Sequence, residues 1–196
     1  MNQNEIKAFW ESKYREGQTG WDIGAVSLPI KTYIDQIENK NLDILIPGAG
    51  RAYEAEYLLK QGFQNVHVLD IARDPLAELK NRVPHFKDEN LHCENFFTHQ
   101  KTYDLILEQT FFCAIDPTYR KEYVQKAHSM LNIKGKIAGL LFDFPLTEEG
   151  PPYGGSAEEY INLFEPYFHL NLLERSYNSI KPRWGRELFF IFEKKN

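Results

Sequence analysis

Apolar positions along this chain follow two periods. In "NEIKAFWESKYREG", Ile6, Phe9, Trp10 and Tyr14 recur at helical spacing and share one face, and Gly17 ends the run. "QTGWDIGAVS" holds two glycines around Trp21 and reads as an ordered loop. "LPIKTYIDQIEN" reads as a second helix, with Pro29 in its first turn. After that the pattern changes to short apolar runs that alternate with helical ones. "LDILI" is a strand, "AYEAEYLLKQG" a helix closed by Gly62, and "NVHVLD" a strand. "DPLAELKNRV" is a helix with Asp74 expected at its N-cap and Pro75 at its first position. "NLHCENF" and "YDLILEQ" are expected as strands three and four, "TYRKEYVQKAHSML" as a helix and "GKIAGLLFDF" as a long apolar strand. "SAEEYINLFEPY" is a helix with a capping box of Ser156 and Glu159. "HLNLLERSYNS" and "ELFFIFEKK" are two last strands, close enough in sequence to form a hairpin.

Alternating strands and helices with apolar strands predict an α/β fold. The sheet is mostly parallel, with seven strands, helices on both faces and the last strand antiparallel. The expected organisation is one domain over 1–196, with residues 1–40 as a helical lid or cap and 41–196 as a Rossmann-like core.

Composition narrows the function. Apolar residues make up 42% and charged residues 26% of the 196, as in ordinary globular proteins. Aromatics reach 14%, with 14 Phe, 11 Tyr and 3 Trp, enough to build a core and to wall a pocket for a flat ligand. The net charge of −5 and the lack of a basic run argue against sequence-independent nucleic-acid binding. Cys93 and Cys113 read as reduced, buried thiols, and no His/Cys cluster has the spacing of a structural zinc site. The polar start "MNQNEIKAFW" and the absence of a membrane-length apolar window lead us to expect a cytoplasmic protein with no membrane partner.

The stretch "ILIPGAGRAYEAEYLLKQGFQNVHVLDI" carries the chemistry. Gly48 and Gly50 follow the first strand directly, where a backbone without side chains lets a ligand come close. Asp70 closes the second strand, where a carboxylate can accept both ribose hydroxyls of an adenosine. Tyr53 stands where a dinucleotide loop has its third glycine, and no P-loop is present. S-adenosylmethionine, which has no phosphate, therefore fits better than NAD. In "CENFF", the Asn95 amide can bond the adenine edge and Phe96 can pack on its face. Glu108, at the end of strand four, can supply a carbonyl or carboxylate to the methionine ammonium.

The segments "FWESKYREGQTGWDIG", "PGAGRAYE", "VLDI", "DLILEQTFFCAIDP" and "GPPYGG" together resemble the thiopurine S-methyltransferase family, nearest its halide/thiol methyltransferase branch. The resemblance implies a Rossmann-like class I methyltransferase that uses S-adenosylmethionine and methylates soft nucleophiles. It implies that Trp10, Tyr14 and Trp21 cover the cofactor and that Gly48 and Gly50 line its methionine part. Asp70 would take the ribose, Asn95 and Phe96 the adenine, while Glu108, Thr110, Phe111 and Phe112 flank the sulfonium. The chain departs from the family at Ala49, where Cys is common, and at Asn95, where Asp is common. Both substitutes suit the same roles.

Methyl transfer from a sulfonium needs alignment more than activation. A dry aromatic cavity strips water from an anionic acceptor and tolerates the cation. Trp10, Tyr14, Trp21, Phe111 and Phe112 are the candidate walls. No pattern marks a base. Asp143, Tyr153, Arg183 and Arg186 are candidates near the acceptor, and Cys113 reads as packing. Two alternatives stay open: an O- or N-methyltransferase on another small metabolite, and a catalytically silent S-adenosylmethionine-binding module. The family resemblance leans towards a monomer.

Overall fold

The computed structural model describes residues 2–196. Seven strands form one sheet in the order β3-β2-β1-β4-β5-β7-β6. β1 (Asp43–Pro47) pairs in parallel with β2 (Asn65–Asp70) and with β4 (Tyr103–Glu108). β3 (Leu91–Cys93) adds in parallel to β2, and β5 (Leu131–Phe142) to β4. β7 (Glu187–Lys194) runs antiparallel to both β5 and β6 (Phe168–Arg175). The chain builds outward from β1 through β2 to β3, then returns to the other side of β1 to lay down β4. That reversal opens a crevice at the carboxyl ends of β1 and β4, where open α/β sheets hold their ligands.

Both faces of the sheet are covered. Ile44 and Ile46 of β1 point into a layer closed by α2 (Leu28–Asp35), α3 (Tyr53–Lys60) and α4 (Arg73–Arg82). Leu45 points the other way, into a layer closed by α5 (Arg120–Ser129) and α6 (Ala157–Phe164). Strands buried on both sides must be apolar throughout, which is why they read as runs rather than as alternation. Each such Ile or Leu contributes about 1.5–3 kcal/mol of burial. α2 is part of this core, since Ile30 and Ile34 are fully buried. α1 (Gln3–Arg15) buries no residue completely and lays its half-buried apolar face over the crevice. No helix among the described residues is long and apolar enough to cross a membrane.

The structure departs from the sequence reading at several element ends. α4 begins at Arg73 with Ala72 as N-cap, so Asp74 and Pro75 lie inside its first turn. The Asp70 carboxylate takes the Ala72 N–H, which tethers the approach to this helix from two residues upstream. β3 stops at Cys93, because Asn95 caps a 3-10 turn, Phe96–Thr98, through the Phe97 N–H. β5 is longer than its apolar run and starts at Leu131. The capping box of α6 is half made: Ser156 accepts the Glu159 N–H, while the Glu159 carboxylate is drawn to Arg120 at 2.6 Å.

Candidate active site

Gly48 and Gly50 sit at the end of β1 with φ of 56° and 51°. A Cβ on Gly48 would overlap the Phe111 ring, and one on Gly50 would lie 2.8 Å from the Tyr14 hydroxyl. The conformation and the crowding both exclude a side chain. Asp70 pins this loop: its carboxylate accepts the Gly50 N–H and the Ala72 N–H, each at 2.8 Å. Burial pushes the Asp70 carboxyl up to about 6, opposed by the Ala72 and Gly50 N–H groups.

A cavity of about 580 Å³ opens above this loop. Trp10, Tyr14 and Trp21 roof it from the N-terminal segment. Their rings meet edge-on, with centroids 5.4 Å apart for Trp10–Trp21 and 5.8 Å for Tyr14–Trp21. Two arginines fasten the roof. Arg51 of the glycine loop pairs with Asp22 and, at 2.5 Å, with Glu78 of α4. Arg183 donates to the Trp21 carbonyl at 2.6 Å and also faces the cavity. Asn95 and Phe96 border one end, and Thr110, Phe111 and Tyr153 the other. Thr110 holds φ of 59°, the left-handed region that an L-residue enters only at a cost. That conformation turns the chain after β4 back across the cavity.

Four predicted residues lie elsewhere. Glu108 is fully buried, and its carboxylate is spent inside the protein. It accepts Phe111 N–H at 2.8 Å, Phe112 N–H at 2.9 Å and the Tyr123 hydroxyl at 2.6 Å. It therefore shapes the turn that carries Phe111 and faces no ligand. Phe112 packs in the core among Tyr123, Tyr160 and Phe164. Asp143 lies outside the cavity, paired with Arg175 at 2.5 Å. Arg186 is also outside, stacked 4.4 Å over the Phe144 ring. Asn95 does border the cavity, but its side-chain oxygen is committed to the Phe97 N–H. Of the two cysteines expected to be buried, Cys93 is exposed at the end of β3, while Cys113 is buried and burial raises its thiol well above the ordinary range, in keeping with packing.

Two residues that the sequence reading passed over matter here. Glu54, in the first turn of α3, lines the cavity and is 7% exposed. It has no ion-pair partner among the described residues. Burial pushes its carboxyl up to about 7, against the pull of the Glu54 and Ser27 backbone N–H groups. A buried carboxyl that pairs with no cation at contact distance, feels Arg183 only at longer range and opens to a cavity can receive a cationic group. Its signal was the acid four residues after Gly50, hidden within an ordinary amphipathic helix. Arg120 is 2% exposed and bonds both Glu159, at 2.6 Å, and the Gly154 carbonyl, at 2.7 Å. It ties the loop that carries Tyr153 to α5 and α6, yet in sequence it looks like a surface helix residue.

A glycine cradle without phosphate-binding features, a ribose-type acid and an unpaired carboxylate at the cradle fit a nucleoside that carries an ammonium. Sheet order, antiparallel last strand and site together define a class I S-adenosylmethionine-dependent methyltransferase. The solved structures agree on the fold. One is a Burkholderia thailandensis 1,6-didemethyltoxoflavin-N1-methyltransferase with bound S-adenosylhomocysteine, at a TM-score of 0.78 and 19% identity, covering 100% of this chain and 92% of that one. Another is a TehB-like SAM-dependent methyltransferase from Corynebacterium glutamicum, at a TM-score of 0.66 and 18% identity, covering 98% and 100%. Among sequence relatives, "Probable thiol methyltransferase 2" of Arabidopsis thaliana is 28% identical over 184 residues, 91% of this chain and 81% of that protein. A "Thiopurine S-methyltransferase" of Vibrio parahaemolyticus is 25% identical over 176 residues, 81% of this chain and 82% of that protein. The profile of the thiopurine S-methyltransferase (TPMT) family matches residues 6–195, and the chain belongs to that family.

Proposed function

We propose that the chain methylates a small soft nucleophile, a thiol or thiopurine-like aromatic thiol, with halide as the smallest acceptor. The observation that carries this is the cavity wall: it is aromatic, and no histidine lines it among the described residues. A thiolate or halide needs desolvation and alignment rather than a strong base, and this wall supplies both. The names of the relatives, thiol, thiocyanate and thiopurine methyltransferases, support the same acceptor class. In this reading bound S-adenosylmethionine supplies an activated methyl group. The backbone at Gly48 and Gly50 lines its methionine part, Glu54 takes the ammonium, and Asp70 takes the ribose hydroxyls. Asn95 and Phe96 border the adenine. Trp10, Tyr14 and Trp21 cover the cofactor, while Thr110 and Phe111 flank the reacting end. Tyr153 and Arg183 face the acceptor, Arg183 drawing an anion inward. The same reading makes the protein a monomer of the cytoplasm.

Calorimetric titration with S-adenosylmethionine and S-adenosylhomocysteine tests this. We expect micromolar binding that weakens about tenfold or more in Asp70→Ala and in Glu54→Gln, the worth of a lost charged hydrogen bond. An acceptor series of iodide, hydrosulfide, thiocyanate and aromatic thiols then reads the substrate class. Turnover of oxygen or nitrogen acceptors alone overturns the soft-nucleophile reading, and tight binding with no turnover at all would mark a silent module.

A further inference from the structure

Three of the chain's histidines collect at the β3 edge of the sheet: His67 within β2, His92 within β3 and His99 beyond it. Strand alternation places His92 and Glu94 on one side of the end of β3 and Cys93 on the other. His99 folds back onto them from beyond the 3-10 turn Phe96–Thr98. The result is a convergent donor set. His99 Nδ1 lies 2.7 Å from Glu94 Oε1, and His92 Nδ1 lies 3.9 Å from the same atom. The three donor atoms of His92, Glu94 and His99 all fall within 4.8 Å of one another.

The far side of each imidazole is held as well. His99 Nε2 is 2.6 Å from the Tyr103 hydroxyl, and His92 Nε2 is 3.2 Å from His67 Nδ1. His67, His99 and Tyr103 are all buried. Imidazoles that turn one nitrogen to a common point and anchor the other on a buried partner are the arrangement that orients metal ligands.

We propose that His92, Glu94 and His99 form a binding site for a divalent transition-metal ion of the zinc type, with its fourth position open. Two neutral imidazoles and a carboxylate suit such an ion, whereas magnesium and calcium take oxygen donors. Bonds of about 2.0–2.2 Å require the donors to draw a little closer together. The Glu94 side chain is 44% exposed and supplies that movement.

The protons set a condition on binding. The Lys101 ammonium can only donate, and it lies 2.8 Å from His67 Nε2. His67 then carries its proton on Nδ1 and gives it to His92 Nε2, which leaves the N–H of His92 on Nδ1, facing Glu94. A metal needs the lone pair at that nitrogen. The tautomers of His67 and His92 must therefore reverse, the His99 proton must pass from Nδ1, where it faces Glu94, to Nε2, where it faces the Tyr103 hydroxyl, and exposed Lys101 must swing away. The exchange releases no proton, but Lys101 opposes it. Glu94 also borders the main cavity, so an ion here and a ligand there share one side chain.

The test is titration of the chelator-treated full chain with zinc chloride, followed by calorimetry. Circular dichroism shows whether each variant is folded. His92 and Glu94 are partly exposed, so His92→Gln and Glu94→Gln spare the core, whereas His99 is left intact because it is buried. We expect one ion per chain with a Kd at or below about 10 µM. Each of the two variants should weaken binding about tenfold or more, as loss of a ligand does. Lys101→Met should tighten it, and Cys93→Ser should leave it unchanged. The absence of saturable binding overturns the proposal, as does zinc affinity that survives both His92→Gln and Glu94→Gln or that disappears in Cys93→Ser. Failure here leaves the methyltransferase reading untouched, because none of its tests involves the metal.

Discussion

At the scale of the residue, Glu54 works against the fold. Its carboxyl stands at about 7, against an ordinary 4.5, because burial penalises the charge. A carboxyl raised in the folded state binds its proton more tightly there than in the unfolded chain. Its contribution to stability therefore falls as pH rises from about 4.5 through about 7. Glu54→Gln removes the penalty. The variant should melt at a higher temperature than the parent at pH 8, with the gap closing by pH 5, in thermal unfolding of the ligand-free chain. The same variant should bind S-adenosylmethionine about tenfold or more weakly, because a neutral amide offers the ammonium no charge. A variant less stable at pH 8 would refute the assignment of Glu54 as an uncompensated charge. The parent's cofactor affinity should also fall as pH drops from 8 through about 6, where Asp70 in turn gains a proton. Gly48→Ala is the steric counterpart. With φ of 56° and the Phe111 ring in the way, the methyl group must displace either the loop or the ring, and cofactor affinity should collapse.

At the scale of the element, the loop that bears Tyr153 has little burial of its own and depends on Arg120. That guanidinium bonds Glu159 on α6 and Gly154 in the loop, and lies 4.9 Å over the Phe112 ring. Arg120 is buried but the Glu159 side chain is 33% exposed and water can take it over, so losing the guanidinium costs chiefly its packing and the bond to the buried Gly154 carbonyl, about 1–3 kcal/mol. Arg120→Ala should therefore lower the urea midpoint clearly and raise KM for the acceptor more than for the cofactor, since the acceptor end loses its support. Equal effects on both would place Arg120 in general stability alone. Glu108 acts in the same way one element earlier. Its three accepted hydrogen bonds build the turn after β4, so its exchange to Ala should unfold the turn rather than merely weaken one ligand contact.

At the scale of the whole molecule, the roof and the floor of the cavity belong to distant parts of the chain. Arg51 joins the glycine loop to Asp22 and Glu78, and Arg183 joins the β6–β7 connection to Trp21. The Arg51 ion pairs are partly exposed and carry little stability, at most about 1 kcal/mol each. They hold the aromatic roof in register over the sheet. Arg51→Ala should leave the melting temperature within a few degrees and speed amide exchange across residues 18–24. Unchanged exchange there would mean that the aromatic contacts of Trp21 hold the roof unaided.

Much of this was legible in the chain because it is local. Period-two and period-3.6 apolar patterns, the glycine loop and an acid at the end of the next strand are all read within a few residues. They led to the strands, the helices, the cofactor class and Asp70. The family segment "FWESKYREGQTGWDIG" extended that to the aromatic roof, and the Pro- and Gly-rich loop "PLTEEGPPYGGS" to Tyr153. What stayed hidden depends on which partner a polar side chain finds across the fold. Glu108 and Glu54 look alike in sequence, each an acid beside the crevice. The structure spends one on backbone N–H groups and Tyr123 and leaves the other without a counter-ion. Arg120 looks like surface and is core, and His92, Glu94 and His99 converge only once the chain turns back after β3. The sequence by itself determined the elements, because backbone geometry and apolar burial are set by neighbours along the chain. Only the tertiary structure decided which charges are paired, because pairing is set by neighbours in space.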